Sequence, residues 1–174
     1  MKSYQSTIKL GLIWAGISIV TTLLLYLLGM MENVMAAILV FCFGIYIMYR
    51  AGIEKREELG GFISWKLALT PIWLCAVVSS FFTSLFSWIL VKFIDPGLQE
   101  KQREQAIKMI ESMRSWMGDA AAEEQLEQIE TQNFALFSNY IMMFFWATII
   151  YFLIACIIAA VVKKNDPKEL FSKY

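Results

Sequence analysis

Four long runs of apolar residues constrain the fold of this chain more than any other feature. They cover residues 10–31, 33–49, 67–91 and 140–162. A helix that crosses the hydrocarbon core of a bilayer needs about 20 mostly apolar residues. Of the 174 residues, 59% are hydrophobic, which is far more than a soluble core of this size can bury. The pattern predicts an all-α polytopic membrane protein with four transmembrane helices, in which residues 1–174 form a single membrane domain surrounded by the lipid bilayer.

The first two runs are separated only by residues 31–33, which predicts a tight helical hairpin with Glu32 at its turn. The first run is too long for the apolar part of a signal peptide, and no small-residue cleavage site follows it before the second run begins. We therefore expect the first run to remain as a membrane anchor. Residues 51–64 are charged and predict a short solvated helix that ends at Gly60 and Gly61.

The distribution of Lys and Arg predicts the orientation, because positive charge is retained on the cytoplasmic face. With a cytoplasmic N-terminus, one side receives ten basic residues: Lys2, Lys9, Arg50, Lys55, Arg56, Lys66, Lys163, Lys164, Lys168 and Lys173. The other side receives the net acidic loop 95–133, and Lys92 has a side chain long enough to reach the headgroups. Both termini are therefore predicted to be cytoplasmic, and the loop extracytoplasmic.

Small and hydroxyl side chains recur at helical spacing along the first and third runs. The stripes consist of Gly11, Ala15, Ser18 and Thr22 in the first run and of Ser80, Ser84 and Ser87, joined by Thr83, in the third. The simpler interpretation is that they let two helices approach closely. The alternative is a narrow polar path or a slot for a lipid headgroup. No Asp, Glu, Arg or Lys lies in a membrane interior to move ions or protons.

Loop 95–133 is rich in Gln and Glu and poor in β-branched residues, which favours helix. A turn at Asp95-Pro96-Gly97 precedes a predicted helix over residues 98–117, whose apolar stripe is formed by Ala106, Met109, Ile110, Met113, Trp116 and Met117. Gly118 interrupts the pattern, and Asp119 is a suitable N-cap for a second helix. An amphipathic helical insertion is thus predicted between spans three and four.

We regard five residues of this stripe as candidate contacts with a partner or an interface: Met109, Ile110, Met113, Trp116 and Met117. Packing on the protein itself or resting on the outer membrane interface is the simpler interpretation. The third alternative is a docking face for a membrane protein partner or a second copy of the chain. The polar face is mostly acidic, which argues against attraction to anionic lipid and favours protein contact among the functional alternatives.

The residues that usually carry catalysis are missing from the sequence. It contains no histidine, and Cys42, Cys75 and Cys156 all lie inside apolar runs. No phosphate-binding loop, dinucleotide-binding glycine motif or nucleophile elbow occurs. The formal net charge is zero, which gives no indication of nucleic-acid binding. We therefore expect no catalytic residue, no cofactor and no metal, and predict that the chain is not an enzyme.

The order of features resembles the family of small bacterial membrane proteins known as domain of unknown function 4199. The matching segments are Gly11-Leu12-Ile13, the turn Gly60-Gly61-Phe62-Ile63-Ser64 with Trp65-Lys66 after it, Ile94-Asp95-Pro96-Gly97, and an acidic helical loop before a last span that ends in lysines. The resemblance covers nearly the whole chain. It implies four spans in the bacterial inner membrane and brings no established activity and no functional residue.

Two functions follow as hypotheses. The first is a non-enzymatic accessory or assembly subunit that uses the periplasmic helical loop for protein contact. The second is a small carrier or lipid-handling protein that uses the serine stripe of span three. An enzyme ranks third, because it would have to work without histidine or an intramembrane acid.

Overall fold

The computed structural model describes residues 4–31 and 33–165, and in this part of the chain helices joined by short turns are the regular structure, together with one isolated β-bridge. The helices are α1 (Gln5–Leu27), α2 (Val34–Glu58), α3 (Trp65–Ile89), α4 (Leu98–Met117), α5 (Asp119–Thr131) and α6 (Phe137–Val162), and a π-helical turn over Leu90–Ile94 continues α3. The prediction of an all-α chain is confirmed. Four residues used in the topology prediction lie outside the described residues: Lys2, Glu32, Lys168 and Lys173.

Four helices are long and apolar enough to cross a membrane. They are α1, α2, α3 with its π turn, and α6, with 23, 25, 30 and 26 residues. At 1.5 Å per residue, about 20 residues cross a hydrocarbon core about 30 Å thick, so each of the four helices is longer than one crossing requires. The predicted four-span architecture is confirmed.

The structure changes the predicted end of the second span. A separate solvated helix was expected after residue 50, but α2 continues without a break from Val34 to Glu58. Ion pairs along the same helix hold its charged end, from Arg50 to Glu54 (3.2 Å) and from Lys55 to Glu58 (2.9 Å). The helix does stop at the two predicted glycines, which both adopt the left-handed conformation that glycine tolerates best (φ 83° and 90°).

The described chain forms two compact units. We call residues 4–83 with 144–165 the spanning unit, and residues 84–143 the hairpin unit. The core of the spanning unit takes side chains from α1, α2, α3 and α6. At its centre, the buried indole of Trp14 lies against Gly44 and meets the ring of Tyr151 edge to face, with 5.2 Å between the ring centroids.

Polar contacts join the helix ends at one end of the spanning unit. The Ser6 hydroxyl donates a hydrogen bond to Glu54, which ties the beginning of α1 to the end of α2. The backbones of Ile63 and Lys164 form an antiparallel bridge with two hydrogen bonds, of 2.9 and 3.0 Å. Ile63 lies just before α3 and Lys164 just after α6. Successive spanning helices therefore run in opposite directions, as four consecutive crossings require.

Two indole N–H groups of α3 donate hydrogen bonds to backbone carbonyls of α6. Trp65 bonds to the carbonyl of Cys156 (3.1 Å), and Trp73 to that of Thr148 (3.2 Å). The residue number of the carbonyl partner falls as the residue number of the tryptophan rises, which is the order expected for antiparallel helices. In an apolar surrounding these bonds satisfy indole donors that lipid cannot satisfy.

The closest approach between α1 and α3 occurs at Gly11. A Cβ atom at this position would lie 2.8 Å from the carbonyl oxygen of Cys75 and 2.9 Å from the Cβ of Val78. The backbone oxygen cannot move aside as a flexible side chain can. Gly16, five residues further along α1, has no neighbouring atom within 4 Å of the same point. The two glycines form a matched pair for testing this contact.

We predict that Gly11→Ala destabilises the protein by about 1–3 kcal/mol, because the added methyl group forces α1 away from α3. Gly16→Ala, on the same helix with the same change in helix propensity, is expected to leave the stability unchanged or slightly raised. Thermal unfolding in mild detergent measures the difference. Equal melting temperatures for the two variants would contradict the close contact.

Candidate functional site

The small-residue stripe of α1 lies mostly inside the protein. Gly11, Ala15 and Ser18 are buried, and Thr22 is half-buried with its hydroxyl donating to the carbonyl of Ser18 (2.9 Å). The close contact of Gly11 with α3 fits the simpler interpretation of the stripe, that it lets two helices approach closely, and the role of the other three residues stays a prediction.

The serine stripe of α3 changes in exposure along the helix. Ser80 is buried, at 7% exposure, whereas Thr83, Ser84 and Ser87 are half-buried. Ser80 belongs to the spanning unit, and Ser84 and Ser87 belong to the hairpin unit. Both interpretations of this stripe, close helix approach and the alternative of a narrow polar path or headgroup slot, therefore stay predictions.

Within the hairpin unit, the predicted turn follows α3 and its π turn. The π turn closes with a hydrogen bond from the N–H of Asp95 to the carbonyl of Leu90 (2.8 Å). The Asp95 carboxylate then accepts from the N–H of Gly97 (3.0 Å), and Pro96 between them has no N–H to satisfy. α4 starts at the buried Leu98, so only three residues separate it from the end of the π turn.

Gly118 forms the corner between α4 and α5. Its φ of 87° lies in the left-handed region that residues with a Cβ atom rarely adopt. Its N–H donates a hydrogen bond to the carbonyl of Arg114 (2.9 Å). The structure has Gly118 as the N-cap of α5, with Asp119 as the first helical residue. The prediction of Asp119 as the N-cap is therefore wrong by one residue, because its carboxylate is turned towards Arg114 instead of the free N–H groups of α5.

Arg114 braces this corner. Its guanidinium makes two 2.8 Å hydrogen bonds to the carboxylate of Glu111, reaches Asp119 at 3.3 Å and approaches Glu123 at 4.0 Å. The hydrogen bonds from Arg114 lower the pKa of Glu111 from its ordinary value of 4.5, and those to Glu111 and Asp119 raise the pKa of Arg114. Glu111 is exposed and Arg114 is only half-buried, so the pairs add modest stability and mainly fix the geometry of the corner.

Arg103 closes the other end of the hairpin. It pairs with Glu100 (2.7 Å) and donates to the carbonyl of Gln132 just after α5 (3.2 Å), and its guanidinium lies over the ring of Phe134, 5.9 Å from the centroid. Nearby, the indole N–H of Trp88 bonds to the carbonyl of Ala135 (3.3 Å). Neither arginine was predicted to hold the hairpin. Their spacing of three residues from Glu100 and Glu111 is the signal that identifies the pairs.

The apolar stripe predicted for α4 is divided by the structure. Ile110 is buried, Met113 and Met117 are half-buried, and Ala122 of α5 is fully buried where the two helices pack together. The other two candidate contacts are exposed: Met109 has 64% and Trp116 has 82% of its surface accessible. We call Met109 and Trp116, which lie seven residues apart on α4, the exposed strip.

Charge is distributed unequally between the two helices. α5 carries Asp119, Glu123, Glu124, Glu127 and Glu130 and no basic residue. α4 carries four basic residues, of which Arg103 and Arg114 are held in the ion pairs described above. The other two, Lys101 and Lys108, are exposed and form no ion pair within residues 4–31 and 33–165. Both lie near the exposed strip on the surface of α4.

A metal site is not evident in the described part of the chain. No group of three or more His, Cys, Asp or Glu side chains among those residues is placed to hold an ion. A shallow recess of about 340 Å³ lies on α5, lined by Ala121, Glu124, Gln125, Gln128, Ile129 and Gln132. These side chains offer amide and carboxylate groups without a nucleophile. The exposed strip and its charged surroundings are therefore the candidate site.

We predict that Arg114→Gln loosens the corner, so that the amides of residues 118–123 exchange hydrogen several-fold faster by mass spectrometry. Lys108→Gln, which removes the same charge from the same helix without breaking an ion pair, is expected to have no effect. Because the pKa of Glu111 is lowered in the folded hairpin, the contribution of its pair is complete above pH 4.5 and is lost as the pH falls through the lowered value. The difference between wild type and Arg114→Gln should therefore shrink in acid. A difference that grows in acid would contradict the role of the pair.

The fold and this site define a multi-pass, all-helical membrane protein with a braced helical hairpin between its third and fourth spanning helices. Residues 9–164 match the family described as "Protein of unknown function (DUF4199)", and the chain belongs to this family. The resemblance drawn from the sequence is confirmed. No curated protein and no solved structure matches the chain.

Proposed function

We propose that this protein is a non-enzymatic accessory or assembly subunit of the bacterial inner (plasma) membrane. In this proposal both termini are cytoplasmic, and the α4–α5 hairpin is periplasmic and makes contact with a membrane protein partner. The observation that carries the proposal is the exposure of Trp116, at 82%, and of Met109, at 64%, on a helix where Ile110 is buried and Met113 and Met117 are half-buried.

The ring of Trp116 makes little contact with its own chain, so packing within the protein does not account for a tryptophan at this position. Trp is among the residues most enriched at the energetic centres of protein interfaces, where burial of one large ring contributes about 2 kcal/mol or more to binding. Met109, two helical turns away, adds a flexible apolar side chain that adapts to a partner surface. Within the described chain, α4 and α5 pack against each other, yet both of these side chains stay exposed while Ile110 is buried.

The hairpin is also held in shape before any partner arrives. Arg114 fixes the corner, and Arg103 fixes the opposite end through the Gln132 carbonyl. A surface that is already ordered loses less conformational entropy on binding, which favours association. An ordered hairpin of this kind is better suited to binding a partner than to serving as a flexible linker between two spans.

The alternative, a small carrier or lipid-handling protein, rests on Ser84 and Ser87, whose half-buried hydroxyls lie on one face of α3. A water-filled path would make cysteines at these positions react with a water-soluble thiol reagent. Ser80→Cys is the matched control, because Ser80 is buried on the same stripe. Reaction at Ser84→Cys and Ser87→Cys without reaction at Ser80→Cys would favour this alternative.

We predict that a photo-crosslinking amino acid at Met109 or Trp116 captures a protein in native membranes. The same amino acid at Gln128, exposed on α5, is the control and should capture much less. Trp116→Ala should change the free energy of unfolding by less than about 0.5 kcal/mol, since the ring makes little contact with its own chain. Crosslinks only to lipid, or equal yields at all three positions, would contradict the proposed function.

A further inference from the structure

The charges around the exposed strip indicate what kind of surface fits it. Lys101 and Lys108 lie seven residues apart on α4, as do Met109 and Trp116. Seven residues are nearly two helical turns, so each pair lies along one line of the helix with members about 10.5 Å apart. The site is therefore an apolar line with a line of positive charge near it, and we call Lys101 and Lys108 the lysine row.

The matching surface occurs on the same protein. Glu123 and Glu130 of α5 are also seven residues apart, with Glu127 between them, and all three are exposed. Glu127 and Glu130 form no ion pair among the described residues, and Glu123 reaches Arg114 only at 4.0 Å. The half-buried Leu126 gives this face of α5 an apolar residue. We call Glu123, Glu127 and Glu130 the glutamate row.

We propose that the hairpin's partner is a second copy of this chain, with the lysine row and exposed strip of one protomer docked on the glutamate row of the other. This inference rests on the proposed function, because it names the partner of the same contact surface. The equal spacing lets Lys101 and Lys108 face Glu130 and Glu123 at the same time when the two helices are antiparallel. By two-fold symmetry the contact forms twice in a dimer.

Electrostatics selects this pairing over the others. The hairpin helices together carry four basic and eight acidic residues, so two hairpins repel each other unless their opposite charges are placed face to face. Two α5 faces would bring glutamates together, and two antiparallel α4 faces would bring lysines together. Only the contact of α4 with α5 places positive charges against negative ones. At physiological salt the repulsion between the remaining charges is screened beyond about 8 Å.

Reversal of the two charged rows in separate variants tests the pairing. Lys101→Glu with Lys108→Glu, or Glu123→Lys with Glu130→Lys, should each weaken self-association in detergent or nanodiscs at least tenfold. A mixture of the two variants with different tags should co-purify as mixed dimers, because each contact then again joins opposite charges. Lys163→Glu, in the spanning unit, is the control and should leave self-association unchanged.

The outcomes separate this inference from the proposed function. Mixed dimers that form from two variants, each monomeric alone, support the proposal. Self-association that is absent in the wild type, or that is equally strong in the variants, overturns it. If photo-crosslinks from Met109 and Trp116 then join a protein of different mass, the proposed function stands without this partner. If they join only lipid, the proposed function fails as well.

Discussion

Inside a bilayer there is no water to satisfy the N–H and C=O groups of the backbone, and this constraint determines most of the structure. A chain that crosses the hydrocarbon core must satisfy those groups within itself, and a helix does so with every residue. The four long apolar helices follow directly, and so do their alternating directions. The polar contacts that join their ends, such as the Ile63 and Lys164 bridge, lie just outside the helices, where the backbone leaves the regular pattern.

Between helices in lipid, the hydrophobic effect contributes little to association, so close packing and hydrogen bonds must supply it. The spanning unit uses both. Gly11 lets α1 approach the backbone of α3, and the indoles of Trp65 and Trp73 donate to carbonyls of α6. The side chains that form these contacts have little chemical reactivity. The chemically distinctive part of the chain is the α4–α5 hairpin, where exposed apolar side chains and unbalanced charge occur together.

The sequence predicts the spanning helices well because hydropathy over 20 residues is a strong and local signal. It also predicts α4, with bounds of 98–117, because the Asp95-Pro96-Gly97 turn and Gly118 mark both ends. It does not predict which part of the apolar stripe is covered. Ile110 and Met109 are neighbours of similar hydrophobicity, and only the packing of the folded chain decides that Ile110 is buried and Met109 exposed. The sequence likewise did not predict that α2 continues to Glu58, because a charged segment can prolong a helix that has already formed in the membrane.

Cysteine labelling tests directly whether α3 crosses the membrane as one of four spans. In a variant with Cys42, Cys75 and Cys156 replaced by alanine, single cysteines at Ser64 and Ser115 lie on exposed positions before and after α3. A membrane-impermeant thiol reagent added to sealed membranes should label one of the two positions, and both after the membrane is opened. Equal labelling of the two positions in sealed membranes would contradict the four-span account.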